Sequence, residues 1–331
     1  MTTVPNVYSA EPAFPILAHS LLTQSGESRI TDGPFHDHAD GSDWNLANEW
    51  NIGIRSTKSA VLQYGTVIGF SRLRTRSKDN DEYIGQIPRY LLTKHLLNNS
   101  PSPEPSAFII FPSGFEAFAP RTLLNCLQSA PTQPKLSREE AIKRLDSVQL
   151  LPVHDFPNAA QAISKVSESL QQIDTQRQQS NTAQPIVFIV VGLDSLIEGV
   201  IRASNPVRGT ALLAATLRNL TRMSRTHASY LSIMLVNTSG LGPASFETNQ
   251  QGPNQSNPRE EDTTSLQDDG IHSIFQTPDT SLLNTLLMKT LDQGMDTHIL
   301  LSDVKMSPIA EVVKSRTGPG LGKWGVWSPI P

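Results

Sequence analysis

The chain has 331 residues, of which 37% are apolar and 24 are Pro, with a formal net charge of −4. That length accommodates one large α/β domain with a terminal arm, or two small domains. The near-balanced charge excludes a global pull toward nucleic acid, so such a contact must come from a local patch. The single cysteine, Cys126, excludes an internal disulfide and a cysteine-based zinc cluster, and fits a reducing compartment, cytosol or nucleus. No run approaches the ~20 apolar residues of a membrane span and no leader pattern opens the sequence, so no membrane contact is expected.

Residues 1–54 read as an arm, interrupted by Pro5, Pro12, Pro15 and Pro34, and partly disordered. Within it His36, Asp37, His38, Asp40 and Asp43 crowd a short span. Adjacent ligands in a flexible arm rarely close a metal site without a folded second shell, so this span reads as a solvated loop. From residue 55 to the end the pattern is that of one domain, with short apolar runs alternating with helical periodicity, the signature of a parallel sheet covered by helices.

Strands are expected at Thr66–Phe70, Ala107–Phe111, Val148–Val153, Ile186–Val191, Leu231–Val236, Thr297–Leu301, Ile309–Val313 and Trp324–Trp327. Several are apolar throughout, as strands buried on both faces must be. Helices are expected at Arg89–Leu97, Pro120–Gln128, Ala159–Gln172, Thr210–Arg225 and Ser281–Leu291, with linkers at Ser129–Lys135 and Asp174–Gln184. The stretch from about 240 to 270 carries six acids against Arg259 and reads as a disordered acidic loop.

Three segments carry a resemblance. Pro185–Ile201, PIVFIVVGLDSLIEGVI, reads as a buried apolar strand ending in Asp194 and Ser195. A polar stretch with Arg208 and Gly209 then leads through a helix to the strand LSIMLV, which ends at Asn237 and Thr238. Ala310–Trp327, AEVVKSRTGPGLGKWGVW, runs through a glycine-rich turn into the last strand, with Gly318, Gly320 and Gly322 to supply positive φ. Together these resemble the RecA-like core of the eukaryotic recombinases and their recombination-repair paralogues.

The resemblance implies an α/β fold with a mostly parallel central sheet flanked by helices and a C-terminal antiparallel hairpin. It also implies a nucleotide site that is degenerate here, built from Asp194 and Ser195 in place of a Walker B end, Asn237 and Thr238 in place of an Asn-Gln pair, and Ser113 in place of the catalytic glutamate. After YGTVIGF, where the phosphate loop should stand, the sequence has SRLRTRSKDND, without the glycines that let backbone amides converge on phosphate. A pseudo-ATPase without a required cofactor is therefore expected, with weak ATP and Mg²⁺ binding as the residual possibility.

By the same resemblance the chain acts in the nucleus as an accessory subunit of homologous recombination. It pairs with a recombinase or another paralogue and touches single-stranded DNA weakly. The DNA candidates are Arg202, Arg208, Arg218, Arg222 and Arg225, since residues 196–240 hold five arginines against Glu198. The partner-interface candidates are the cations that follow the first strand, Arg72, Arg74, Arg76 and Lys78. The alternatives are an ATP-binding recombinase with an atypical phosphate loop and a scaffold resembling the Elongator subunits. The Phe-x-x-Ala spacing at Phe156–Ala159 matches a recombinase hook, but one such match is expected by chance.

Overall fold

The computed structural model describes residues 49–50, 52–56, 60–74, 81–99, 104–131, 135–180, 184–242, 271–275, 281–304, 307–316, 318 and 320–327. The metal-like span at 36–43, Arg76, Lys78 and the acidic stretch 243–270 lie outside them.

Eight strands form one sheet: β1 (Val67–Arg72), β2 (Ala107–Pro112), β3 (Val148–Val153), β4 (Ile186–Val191), β5 (Leu231–Val236), β6 (Thr297–Val304), β7 (Ser307–Ser315) and β8 (Trp324–Val326). Their spatial order is β3-β2-β4-β5-β1-β6-β7-β8. All pairings from β3 to β6 are parallel, and β7 and β8 close the sheet antiparallel. Helices follow as α1 (Asp81–Asn98), α2 (Pro120–Ser129), α3 (Arg138–Leu145), α4 (Phe156–Ser180), α5 (Leu193–Ala203), α6 (Pro206–Thr226) and α7 (Leu286–Gln293). This is the α/β architecture that a RecA-like core implies, with its closing hairpin in place.

The centre of the sheet is buried on both faces, which is why β1, β4 and β5 are buried at every residue and β4 is apolar throughout. Phe188 and Val190 of β4 face the core that includes Ile163 of α4, Ile197 of α5 and Leu213 of α6. Val187 and Ile189 face the opposite core, built with Ile84 and Leu91 of α1 and Leu123 of α2. Alternation along the strand thus assigns each side chain to one of two helical layers. Trp50, on the arm side of the expected domain boundary, is buried in this second core.

Several elements differ from expectation. Helix α1 starts at Asp81, so Pro88 lies inside it rather than before it. Helix α4 continues to Ser180, into the span expected as a linker. Its last turns are held because Ile173 is buried and Arg177 pairs with Glu104 at 2.9 Å while lying over the Tyr230 ring. Ser71 and Arg72, expected in the loop after the first strand, are strand residues. Arg208 and Gly209 are not in a loop but in the first turn of α6, where Asn205 caps the helix by accepting from the Arg208 amide. Gly209 is required by close packing: a Cβ there would lie 2.3 Å from Ile201 Cγ1 of α5. In the closing hairpin Gly322 takes the positive φ expected of it, at 76°, whereas Gly320 does not. Phe156 and Ala159 are buried in the core, so the chance Phe-x-x-Ala match presents no hook.

Candidate functional site

Four segments meet at the edge where the parallel strands end: the exit of β1, Ser113–Phe115 after β2, Gly192–Ser195 after β4 and Asn237–Gly242 after β5. In open α/β sheets this edge is where ligands bind. Its geometry here is closed by the chain's own hydrogen bonds.

A phosphate loop would begin at the exit of β1. Instead the extended pairing continues: the Leu73 amide donates to Leu301 O at 2.8 Å and the Arg74 amide to Leu241 O at 2.8 Å, while the Leu241 amide donates to Arg72 O at 2.7 Å. Leu73 and Leu241 form a further parallel bridge. Amides engaged in this way cannot converge on an anion. Arg72 is buried and Arg74 half-buried, and their guanidinium groups donate to the Thr238 and Ser239 carbonyls at 3.4 Å each. Both arginines, expected to meet a neighbouring subunit, point back onto the loop after β5.

Asp194 lies not at a strand end but three residues beyond β4, in the first turn of α5. Gly192, at φ 71°, makes that turn; a Cβ there would lie 2.9 Å from Pro112 Cγ. The Asp194 side chain is fully buried, and one carboxylate oxygen accepts from the Ser239 amide at 2.5 Å. Its other oxygen lies 3.4 Å from Thr238 Oγ1, which also donates to Ser195 Oγ at 3.1 Å. Ser195 Oγ donates in turn to Gly192 O at 3.0 Å. The expected residues Asp194, Ser195 and Thr238 are therefore brought together, but as a clasp between the exits of β4 and β5. A magnesium-bound phosphate needs an open carboxylate and free amides. The residues present do not fit it.

Ser113 is exposed, donates to Val153 O at 3.3 Å and lies 3.1 Å from His154 Nδ1, apart from the Asp194 clasp. Asn237 is buried and opens a relay that the sequence did not suggest. Its Nδ2 donates to Ser71 Oγ at 2.8 Å, and Ser71 Oγ lies 2.8 Å from His298 Nε2. His298 Nδ1 lies 2.9 Å from Asp292 Oδ1, and Lys314 Nζ donates to Asp292 Oδ2 at 2.6 Å. Because an ionised carboxylate only accepts, Nδ1 donates to Asp292, which leaves Nε2 facing the Ser71 hydroxyl. Burial alone would raise the Asp292 carboxyl, but the His298 and Lys314 bonds outweigh it and hold the group below its ordinary value.

Serine, histidine and aspartate in this order match a nucleophilic triad. Ser71 is wholly buried and its oxygen already accepts from Asn237, so a substrate carbonyl has no approach. The relay instead ties β1, β6, α7 and β7 to the residue after β5. Ser71 is 166 and 227 residues from its partners Asn237 and His298, so no local signal announces the contact.

Of the five arginines, Arg218, Arg222 and Arg225 line one groove between α6 and α7, and Arg202 and Arg208 do not. Arg202 pairs with Glu198 at 2.7 Å and is 78% exposed; Arg208 and Arg218 are exposed, and Arg222 donates to Asn219. Arg225 pairs with the buried Asp296 at 2.6 Å and also donates to Gly65 O. Gly65 and Asp296 precede β1 and β6, so Arg225 sits at the sheet edge opposite Asp194. Arg208 and Arg225 are separated by roughly 25 Å along α6 at 1.5 Å per residue. Among the described residues no group of three or more His, Cys, Asp or Glu is placed to hold a metal.

Among solved structures, the crystal structure of the RadB recombinase is similar to this chain at 12% sequence identity and a TM-score of 0.44, over 80% of this chain and 86% of that one. No protein-family model and no curated relative matches the chain.

Proposed function

We propose that the chain is a RecA-like subunit that does not hydrolyse ATP, resembling the eukaryotic recombinase paralogues, and that it assists assembly of a recombinase filament on single-stranded DNA. The observation that carries this reading is the exit of β1, where the Leu73 and Arg74 amides are bonded to Leu301 and Leu241 rather than free to hold a phosphate. Hydrolysis by the family route also needs a base within reach of the attacking water. Ser113, at that position, is not one. What remains is a rigid α/β body whose role is contact with a recombinase or a second paralogue in the nucleus.

DNA contact under this reading is weak and electrostatic, through Arg202, Arg208 and Arg218. Arg225 is occupied by Asp296, and Arg72 by the loop after β5. The test is assembly of the recombinase of the same cell on labelled single strands, with and without the purified chain. The chain should speed assembly or slow disassembly without hydrolysing nucleotide of its own. Unchanged filament kinetics at stoichiometric chain would overturn the reading.

A further inference from the structure

Far from the Asp194 clasp, a cleft of about 170 Å³ opens between one face of α1, the last turn of α2 and Trp327 beyond β8. Its α1 wall is Gln86, Tyr90, Thr93 and Leu97, spaced so that they share one face of the helix, with Arg89 and Lys94 beside them. Tyr90 and Trp327 meet edge to face with ring centroids 6.2 Å apart, and the indole N–H is directed to Gln86 Oε1 at 3.4 Å. The cleft is therefore walled by aromatic surface with a polar group at its margin.

Its charge is one-sided. Arg89 and Lys94 line it, and no acidic residue does so among the described residues. Arg89 is nearly buried and donates to Ala117 O. Lys94 is half-buried and makes no hydrogen bond or ion pair among the described residues. Lys94 stands one helical turn beyond Tyr90 on the same face of α1, so a partly desolvated ammonium group lies beside the aromatic wall without a counter-ion. An inorganic anion would match the charge but leave the aromatic walls wet, whereas a neutral aromatic would cover the walls and leave the charge unmatched. The carbonyls at the C-terminal end of α2 disfavour an anion on that side, so the anionic group belongs on the α1 wall. The volume is below the roughly 300–1,000 Å³ of drug-sized pockets, which limits the occupant to a small molecule.

We propose that this cleft binds a small aromatic carboxylate, its ring against Tyr90 and Trp327 and its carboxylate on Lys94. The inference is independent of the nucleotide site and of any role in recombination.

Cys126, partly exposed, lines the same cleft and is the chain's single thiol, which makes it an internal reporter. The experiment follows alkylation of Cys126 by a maleimide in the full chain, in the presence of naphthoate, naphthamide or inorganic phosphate. Naphthoate should slow alkylation saturably and the other two should not. Lys94→Gln should weaken protection by roughly ten-fold or more, as loss of a charge-assisted hydrogen bond does, while leaving the thermal midpoint unchanged. Equal protection by naphthamide overturns the proposal, since the cleft would then be merely apolar. No protection up to ~10 mM naphthoate, or protection that Lys94→Gln leaves intact, overturns it equally.

Discussion

Replacing Asp194 with alanine separates a structural clasp from a metal site. In the clasp the carboxylate is wholly buried and accepts from the Ser239 amide at 2.5 Å, with Thr238 Oγ1 a distant second at 3.4 Å. Thr238 keeps Ser195 as a partner in the variant, so the loss is concentrated in one hydrogen bond to a charged group and one partly buried amide left unpaired. Such a loss costs about 2–3 kcal/mol. For a body of this size that corresponds to a drop of roughly 4–12 °C in the thermal midpoint. Asp194→Asn retains an acceptor oxygen for Ser239 and should cost about half as much. Urea unfolding followed by tryptophan fluorescence measures the difference. A change below about 0.5 kcal/mol, the range of an ordinary surface substitution, together with loss of Mg²⁺-dependent ATP binding, would refute the clasp and restore Asp194 as a metal ligand.

Three further outcomes follow from the same contacts. Ser71→Ala leaves Asn237 Nδ2 and His298 Nε2 without their shared partner in a buried site, and should destabilise by about 1–3 kcal/mol in urea unfolding; a neutral effect would mean the relay is not formed. Burial depresses His95 from 6.5 to about 4, against opposing hydrogen bonds to the Ser106 and Pro185 backbone. The unfolded chain therefore binds the extra proton first. The stability from keeping His95 neutral is fully present above about pH 6.5 and falls by up to about 1.4 kcal/mol per pH unit toward pH 4. His95→Gln should lack this part of the acid loss, and parallel pH profiles for the two proteins would contradict it. Arg202→Ala with Arg208→Ala should lower the salt slope of single-strand binding by roughly 0.7 per arginine lost without unfolding the chain. Arg225→Ala should instead lower stability, because it leaves the buried Asp296 carboxylate with the Val67 amide and no cation; anisotropy titrations at two salt concentrations beside thermal melts separate the two effects.

The centre of the sheet was legible because β4 and β5 are buried on both faces and so read as near-continuous apolar runs, while the half-exposed edge strand β3 stands out only by its β-branched and leucine content. Val148–Val153, Ile186–Val191 and Leu231–Val236 have the observed bounds residue for residue. The helices were less legible where tertiary contacts override local cues. Pro88 precedes the expected helix, yet the observed helix holds it in its interior with Ile87 and Leu91 buried on either side. Helix α3 was missed although Ser137 and Glu140 form a capping box at its start, a signal present in the sequence. The Leu193–Ala203 helix was hidden by the assumption that Asp194 ends a strand.

At the candidate site the residue types were legible and their engagement was not. Absence of a glycine-rich loop after β1 is visible in SRLRTR, but that the chain instead extends its pairing to Leu241 depends on a partner 168 positions from Leu73. The exposure of Arg72 was misjudged for the same reason, since a cation after an apolar strand looks solvated until its carbonyl partner is known. Ser71 and His298 carry no local pattern at all, and only the adjacency of β1 and β6 joins them.

ATP hydrolysis by the purified full chain, with and without single-stranded DNA, tests most directly the proposal that this α/β body does not turn over nucleotide. With the Leu73 and Arg74 amides bonded within the chain and Asp194 closed by Ser239, phosphate release should stay at the level of the no-protein control in both conditions. Turnover that rises with added single-stranded DNA, and is lost in Asp194→Asn at a temperature where that variant remains folded, would contradict the account.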